Sequence, residues 1–496
     1  MKKYRGKKLM ILILFMLFLL PRESFADEIT KSPDYIDIGL FFQETSKSTV
    51  SLSSSTGFEI GEFTNGDFLP FLDLPRETNI VLRSNSHPTS NAANPIFIKN
   101  EGKFWDVFIN STPTLTGIQV LTAGGELLFI FDSTKDVYFR AIDVGEKVST
   151  VSVEGVQYRG SIMAKRLNGE DMIIINKLPL EEYLYGVVPG EMPALWPLEA
   201  LKAQAITVRG YALANRNRFR SLGFDLCNTT KSQYYGGFDR EHPNSSLAVD
   251  ETRGQVLTYN GDIISTFYHS NSGGYTEDSE NVWFEYLPYL RGIKDKFSLG
   301  HANSSWVMTL TGDQISSLLQ NRNIFIGKIL DIQIISKSPN GRVLELLIKG
   351  SKDNIILTKE EVRTVLGLKS AWFTISGSEK ATGGLRDKVF MIKGNSDKHE
   401  VNTMKGKYIV SLKGIDEIYN VHNIKIFDGR NYVDAADYSA IDKLPHDSKD
   451  YYEIVGRGHG HGLGMSQWGA KRMAEEGYNY IDILTYYYMD TRVEMY

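Results

Sequence analysis

The chain of 496 residues holds one cysteine, Cys227. A single thiol excludes an internal disulfide and any zinc site built on several cysteines. Positive charge is not in excess, since 55 Lys and Arg face 60 Asp and Glu for a net of −5. A duplex-DNA binder is expected to be basic, so nucleic acid is not an expected partner. No Gly-Lys-Ser/Thr closes a glycine-rich loop, so there is no phosphate cradle of the Walker kind. No Gly-x-Ser-x-Gly elbow is present, which argues against an esterase-like serine nucleophile. Internal repeats and low-complexity tracts are also missing. With 42% hydrophobic and 11% aromatic residues, the composition is globular and excludes a collagen-like or disordered chain. At roughly 150 residues per domain, the length suggests about two to four domains.

The apolar runs are short as well. The longest, Leu9–Leu20, has twelve residues. A membrane-spanning helix needs about 20, so this run fits the core of a signal peptide. Lys2 to Lys8 supply a basic start, Pro21 ends the run, and Ser24-Phe25-Ala26 offers small residues for cleavage. Residues 1–26 are therefore expected to be an export signal cut after Ala26, giving a secreted or wall-associated protein; an uncleaved membrane anchor is the alternative. Without those residues 49 positive and 59 negative charges remain, a net of −10. A chain of this size can bury a sufficient core without disulfides.

Residues 27–150 are rich in β-branched and aromatic residues. Asp37–Phe42, Phe104–Ile109, Leu127–Phe131 and Val137–Ile142 read as strands, and Asn65-Gly66 and Gly124-Gly125 as turns. This is expected to be a β-rich accessory region. From Val151 the strands Val151–Arg159, Ser161–Leu167 and Met172–Ile175 follow, with Asn168-Gly169 as a hairpin turn. A short helix opens at Leu180 and gives way to a loop, Val188–Pro193. Leu198, Leu201, Ala205, Val208 and Ala212 recur at helical spacing and mark one buried stripe, with Pro197 at the helix start. Helices are expected near Asp313–Gln320 and Glu360–Leu366. Strand-like runs Tyr408–Leu412 and Asn423–Phe427 suggest a β-rich insertion at about 381–450. A glycine-rich loop, Gly456–Gly464, leads into a helix from Ser466 that Gly477 caps, and a last helix covers Ile481–Tyr488.

Several residues could carry chemistry. Glu191 sits between Pro189-Gly190 and Pro193, with Met192 and Trp196 as apolar neighbours. Burial raises a carboxyl pKa and suits it to general-acid work; the bland reading is a helix-start carboxylate helped by the helix dipole. Arg209 flanks the buried stripe of the following helix. It can reach a cleft mouth, neutralise a sugar carboxylate or hold Glu191, or it is a solvated helix arginine. The segment His269-Ser270-Asn271-Ser272-Gly273-Gly274-Tyr275-Thr276 is polar and suits hydrogen bonding to sugar hydroxyls. Trp283, Phe284, Tyr286 and Tyr289 follow as ring-stacking candidates. Gly458-His459-Gly460-His461-Gly462 allows close backbone approach. If extended, it points both imidazoles one way. They then contact structure or substrate, or chelate a metal, which would need His269 or Glu191 to complete the site.

Four blocks together resemble the SpoIID/LytB family, whose founders are a stage II sporulation protein and a modifier of wall amidases. They are Leu178–Pro189 running into Glu191-Met192-Pro193; Trp196–Ala205 continuing to Arg209 and Tyr211-Ala212-Leu213; the His269–Thr276 segment; and Gly456–Gly462 ending in Gly464-Met465-Ser466-Gln467-Trp468-Gly469-Ala470. The resemblance covers roughly 150–375 and 450–496. It is weaker over 35–150, and 381–450 reads as inserted.

The resemblance implies an α+β fold, with a catalytic region of mixed strands and a few helices over 151–496. It implies a lytic transglycosylase that cleaves the MurNAc–GlcNAc bond of peptidoglycan glycan strands and leaves 1,6-anhydro ends, with no cofactor and no metal. The catalytic pair falls on Glu191 and Arg209. His269, Ser270, Asn271, Ser272, Tyr275, His459, His461 and Gln467 are the substrate-binding set. The alternative within the family is a non-catalytic enhancer of an N-acetylmuramoyl-L-alanine amidase, which makes such an amidase a candidate partner. Some members hold zinc near Cys227 through two cysteines and two histidines. Here the other positions are Ser221, Lys231 and Ser232, which removes that site and leaves Cys227 a buried thiol.

Overall fold

A computed structural model of the chain describes residues 34–376 and 451–496, apart from 76–77, 85–97, 101–102, 106–116, 134, 146, 168–170 and 284. It also describes the short strands Tyr408–Ser411, Gly414–Glu417, Lys425–Phe427 and Tyr432–Asp434. The expected leader, the Asn168-Gly169 turn and Phe284 lie outside the described residues, as does most of 381–450.

The main sheet has seven strands, in the order Leu226–Cys227, Tyr35–Phe41, Met172–Pro179, Ser161–Arg166, Tyr138–Ala141, Phe58–Thr64 and Asp67–Leu74. Its centre is an apolar run. Ile174 packs into the principal core with Ile36 and Ile38, while Ile173 and Ile175 face the other side with Phe42, Phe224 and Cys227. Successive strand residues point to opposite faces, so an unbroken Ile-Ile-Ile fits a strand covered on both. Asn65 and Gly66, at φ 53° and 90°, turn the last hairpin. The stretch expected as one strand, Val151–Arg159, is instead a hairpin, Val151–Val153 and Val156–Tyr158. Glu154 and Gly155 form its turn at φ 51° and 89°. This hairpin edges a six-stranded sheet built otherwise from residues before 133.

Strands from both sides of residue 150 thus share sheets and one core. Ile38 pairs with Asn176, and Gly39 with Cys227. Alternation in a sequence shows a strand but not its partner, so this interleaving was not legible.

Helix α1 spans Leu180–Glu191 and α2 spans Leu198–Ala214. Apart from Lys202, residues Ala200 to Ala212 of α2 are buried, so it is a central helix rather than a one-striped surface helix. Around it lie α3, Pro243–Glu251, and further along the chain the strand Gln255–Tyr259. A second core lies under the strands Ser305–Thr311, Tyr451–Arg457, Phe373–Ser376, Ile329–Lys337, Val343–Gly350 and Asn354–Thr358, with helices α4, Gly312–Gln320, and α5, Glu360–Leu366. Phe373–Ser376 and Tyr451–Arg457 are paired neighbours. The stretch expected as an insertion therefore leaves and rejoins the fold at adjacent strands. After Arg457 the chain returns to the principal core through the glycine-rich run and forms α6, Gln467–Glu475, and α7, Tyr480–Tyr487.

Candidate functional site

Where the two cores meet, a cleft of about 510 Å3 opens. Glu191 lines it from the end of α1. Tyr268, His269 and Ser270 enter from a short strand and its exit, His459 to His461 from the glycine-rich run, and Gln467 from α6. Strand pairing locks these segments together. Tyr268–His269 runs parallel to Met465–Ser466, and Asn271 bridges to His459 with N···O distances of 3.1 and 2.7 Å.

Glu191 is the last residue of α1 rather than a loop residue. Pro189 costs one helical hydrogen bond. The helix still closes, with the Met192 N–H donating to the Val188 carbonyl at 2.9 Å. Gly190 matters for a packing reason: a Cβ there would lie 2.8 Å from the Tyr234 ring. That close approach brings the Tyr234 N–H to Glu191 Oε1 at 2.8 Å.

Burial pushes the Glu191 carboxyl above its ordinary value. Hydrogen bonds from the Tyr234 N–H and the Tyr268 hydroxyl pull it back only in part. Tyr268 is itself held in place, since its oxygen accepts from Gln233 Nε2 at 3.3 Å, and Gln233 Oε1 accepts from the Tyr183 hydroxyl at 3.3 Å. On the other side Gln467 Nε2 donates to the Glu191 carbonyl at 2.9 Å. The result is one half-buried carboxyl that lines the cleft and that burial shifts toward the protonated form, the direction a general acid needs.

The structure does not bring Arg209 to this site. Its side chain is 0% exposed and forms a two-pronged pair with Glu181, Nε to Oε1 at 2.8 Å and Nη2 to Oε2 at 2.7 Å. Nη1 donates to the Gln255 carbonyl at 2.9 Å, and the Gly254 N–H reaches Glu181 Oε1 at 3.2 Å. Its guanidinium braces α2 against α1 and the Gln255 strand, where a planar fork fits a carboxylate best. The expectation of an arginine at the cleft mouth is corrected. The arginines that do line the cleft are Arg218 and Arg363.

The polar segment divides in the same way. His269 and Ser270 line the cleft. Asn271 is buried and spends its amide inside, with Nδ2 donating to the Ser298 carbonyl at 2.9 Å and Oδ1 accepting from the Gly273 N–H at 2.8 Å. Ser272 Oγ donates to Asp295 Oδ2 at 2.5 Å. Tyr275 is exposed and sets its edge against Trp372, away from the cleft lining. Asn271 and Ser272 hold the segment in shape, and the three expected substrate contacts at Asn271, Ser272 and Tyr275 are not formed by the cleft.

The glycine-rich run is not extended. Gly458, Gly460, Gly462 and Gly464 all have positive φ. A Cβ on Gly460 would sit 2.8 Å from that of His269. His461 Nδ1 accepts from the Leu463 N–H at 3.0 Å, and the ring also bonds the Tyr268 backbone. Burial, with the charges of Arg363 and Arg342, pushes His461 down to about 3. It is a neutral packing residue beside Trp283, ring centres 5.4 Å apart. Among the described residues no three His, Cys, Asp or Glu side chains are arranged to hold a metal ion. Cys227 is buried, with Thr229 Oγ1 and Ser232 Oγ each 3.3 Å from its sulfur.

Sequence reasoning missed Tyr268, Gln233, Phe267, Arg218, Lys231 and Arg363. Tyr268 adjoins the polar segment and was within reach of a wider motif. Arg363 belongs to the second core, and no local signal ties it to Glu191.

The chain is similar to known proteins over much of its length. The family described as Stage II sporulation protein matches residues 168–259, which include Glu191, and a domain of unknown function (DUF8618) matches 298–401. The chain is 32% identical over 350 residues to an amidase enhancer of Bacillus subtilis, covering 70% of this chain and 45% of that protein. It therefore spans less than half of that relative. It is 29% identical over 344 residues to an uncharacterized protein of Brachyspira hyodysenteriae, covering 68% and 72%. With stage II sporulation protein D of Bacillus subtilis it shares 27% over 334 residues, covering 64% and 75%.

Proposed function

Since the chain belongs to the SpoIID family, we propose that it is a peptidoglycan lytic transglycosylase in which Glu191 is the single acid/base. The observation that carries this reading is Glu191 itself: a carboxyl whose pKa is raised by burial, held by the Tyr234 N–H and the Tyr268 hydroxyl, at the wall of an open cleft.

Ordinary glycosidases use two carboxylates, one for the leaving group and one for the nucleophile or water. A lytic transglycosylase needs only one. Protonated Glu191 gives its proton to the glycosidic oxygen, and the bond from MurNAc C1 to GlcNAc O4 breaks. The 6-hydroxyl of the same MurNAc then bonds to C1, and its proton returns to the Glu191 carboxylate. Water is not consumed, and Glu191 ends as it began. In the ionised interval the Tyr268 hydroxyl and the Tyr234 N–H support the carboxylate. Gln467 holds the carbonyl behind it. The neutral imidazoles and the aromatic rings of Phe267 and Trp283 form the rest of the sugar-binding wall. Such a substrate lies outside the cell membrane, which accords with residues 1–26 as an export signal.

The test is product analysis on purified glycan strands. Wild type is expected to release muropeptides with 1,6-anhydro ends, detected by mass, and Glu191→Gln to release at least about a hundredfold fewer, the usual scale for losing an acid/base group. Equal products from both would remove the assignment. A second reading is favoured by the name of one relative, an amidase enhancer: the cleft binds glycan while an amidase partner does the cutting. Under that reading Glu191→Gln keeps full stimulation of the amidase and no anhydro ends form.

A further inference from the structure

One segment of the second core reaches the cleft at two places. It runs from Lys359 through α5 to Lys369. At its start the Lys359 Nζ donates to the main-chain carbonyls of Glu280 at 2.7 Å and Trp283 at 3.0 Å. These carbonyls belong to the helical turn Ser279–Val282 and the residue after it, and the last C=O groups of such a turn have no partner within it. A lysine ammonium at that end supplies the missing donors. Trp283 lines the cleft. In the middle of the segment Arg363 lines the same cleft, its side chain fixed by Glu360, Nε to Oε1 at 2.7 Å. At the far end the Lys369 carbonyl accepts from the Gly460 N–H at 2.8 Å, and Gly460 is also in the cleft lining.

Lys359 makes its two bonds from a strained backbone. Its φ is +49° and its ψ −122°, a combination that glycine adopts freely and a lysine does not. Neighbours pin it there. The Lys359 N–H donates to the Leu344 carbonyl at 2.8 Å, and the Lys359 carbonyl accepts from the Val362 N–H at 3.2 Å. A glycine would hold this backbone without strain, but it would leave the Glu280 and Trp283 carbonyls without the ammonium. Strain of this kind persists only where the surroundings over-determine it, and it gathers at functional sites.

We propose that Lys359 is a positioning residue of the cleft: from the second core it grips the Ser279–Trp283 turn, and so sets the Trp283 wall relative to Arg363. The second core thereby acts on the site as a brace. Lys359 is not itself in the cleft lining and acts through Trp283. That the cleft takes a glycan rests on the function proposed above; the brace and the residue that makes it are new.

Three substitutions in the full-length protein separate positioning from plain stability. Lys359→Met keeps the strain and loses both bonds. Lys359→Gly loses both bonds and relieves the strain, so it is expected to melt higher than Lys359→Met. Lys359→Arg keeps a cation that can reach the two carbonyls. Lys337→Met is the control, since Lys337 Nζ donates to the Phe373 carbonyl at 2.9 Å, a tie of the same kind inside the second core. Hydrogen exchange of the Ser279–Trp283 amides is read without ligand. Affinity for purified glycan strands is read with Glu191→Gln added, and release of anhydro ends with Glu191 intact. Lys359→Met and Lys359→Gly are both expected to speed exchange in the turn and to weaken strand affinity at least about fivefold, the scale of losing hydrogen bonds from a charged donor. Lys359→Arg is expected to recover most of both, and Lys337→Met to change neither. Unchanged exchange in Lys359→Met overturns the inference. Affinity that follows melting temperature, with Lys359→Gly binding better than Lys359→Met, overturns it too. If wild type releases anhydro ends and Lys359→Gly releases as many, the inference falls and the transglycosylase reading stands. If exchange and affinity respond as expected while wild type releases no anhydro ends, the inference stands and the transglycosylase reading falls.

Discussion

Gln467 Nε2 donates to the main-chain carbonyl of Glu191 at 2.9 Å, across 276 residues of sequence. The bond ties the last residue of α1 to the first residue of α6, and so fixes the acid through its main chain. Around the carboxyl itself, Tyr234 and Tyr268 do the same work from the front.

Arg209 is expected to act on stability and only through it on activity. Arg209→Met leaves Glu181 buried without its cation, and breaking a buried pair costs about 3–5 kcal/mol. Arg209→Lys keeps the charge but loses the fork and should recover only part of it. Denaturant unfolding of the three proteins checks the order wild type, Lys, Met. At a temperature where all remain folded, affinity for glycan strands should be unchanged within about threefold. A large loss of affinity in folded Arg209→Lys would return this arginine to the cleft.

Removing the Tyr268 hydroxyl should move the pH dependence of catalysis in a defined direction. That hydroxyl favours ionised Glu191, so it lowers a pKa that burial has raised. In Tyr268→Phe the carboxyl stays protonated to higher pH. The alkaline limb of kcat/KM against pH should therefore shift upward, while the maximum falls because the ionised intermediate state loses a donor. A packing role alone would lower the maximum and leave the limb where it was.

What the sequence made legible follows from how local each signal is. The stripe from Leu198 to Ala212 announced α2 because helical spacing is written within one segment. The turn at Asn65-Gly66 and the end of α6 at Gly477, with φ 93°, were legible for the same reason. Glu191 was legible as a carboxyl among apolar neighbours, but Pro189 pointed to a loop, whereas the helix absorbs one missing bond so near its end. Arg209 was misplaced because spacing does not tell which side of a fully buried helix meets a cleft; its partner Glu181 lies 28 residues back on α1. The run from Gly458 to Gly464 was the hardest. Its composition permits both an extended and a left-handed path, and only contact with the His269 segment decides between them.

Gly460 is the position where that contact is tightest. Its φ is +106° and a Cβ would meet that of His269 at 2.8 Å. Gly460→Ala imposes backbone strain of about 1–3 kcal/mol and pushes on a buried ring. Lower thermal stability together with weaker glycan binding is expected. A variant that lost stability but bound glycan as wild type would show that His269 had not moved.

Glu191 should also leave a thermodynamic mark independent of any substrate. Its folded pKa lies above the ordinary 4.5 that it regains on unfolding. The folded state thus binds this proton more tightly than the unfolded state, and stability from this group is greatest below pH 4.5. It falls as pH rises through the folded value, and above that value the full cost of burying the charge is present. Glu191→Gln removes the titration and keeps the shape. The melting temperature of Glu191→Gln relative to wild type should accordingly be higher at pH 8 than at pH 4, with the change confined to the interval above pH 4.5. Other groups titrate in the same range, but they are common to both proteins and cancel in the difference. A difference independent of pH would mean that Glu191 is not held protonated by its surroundings, and its suitability as the acid would fall with it.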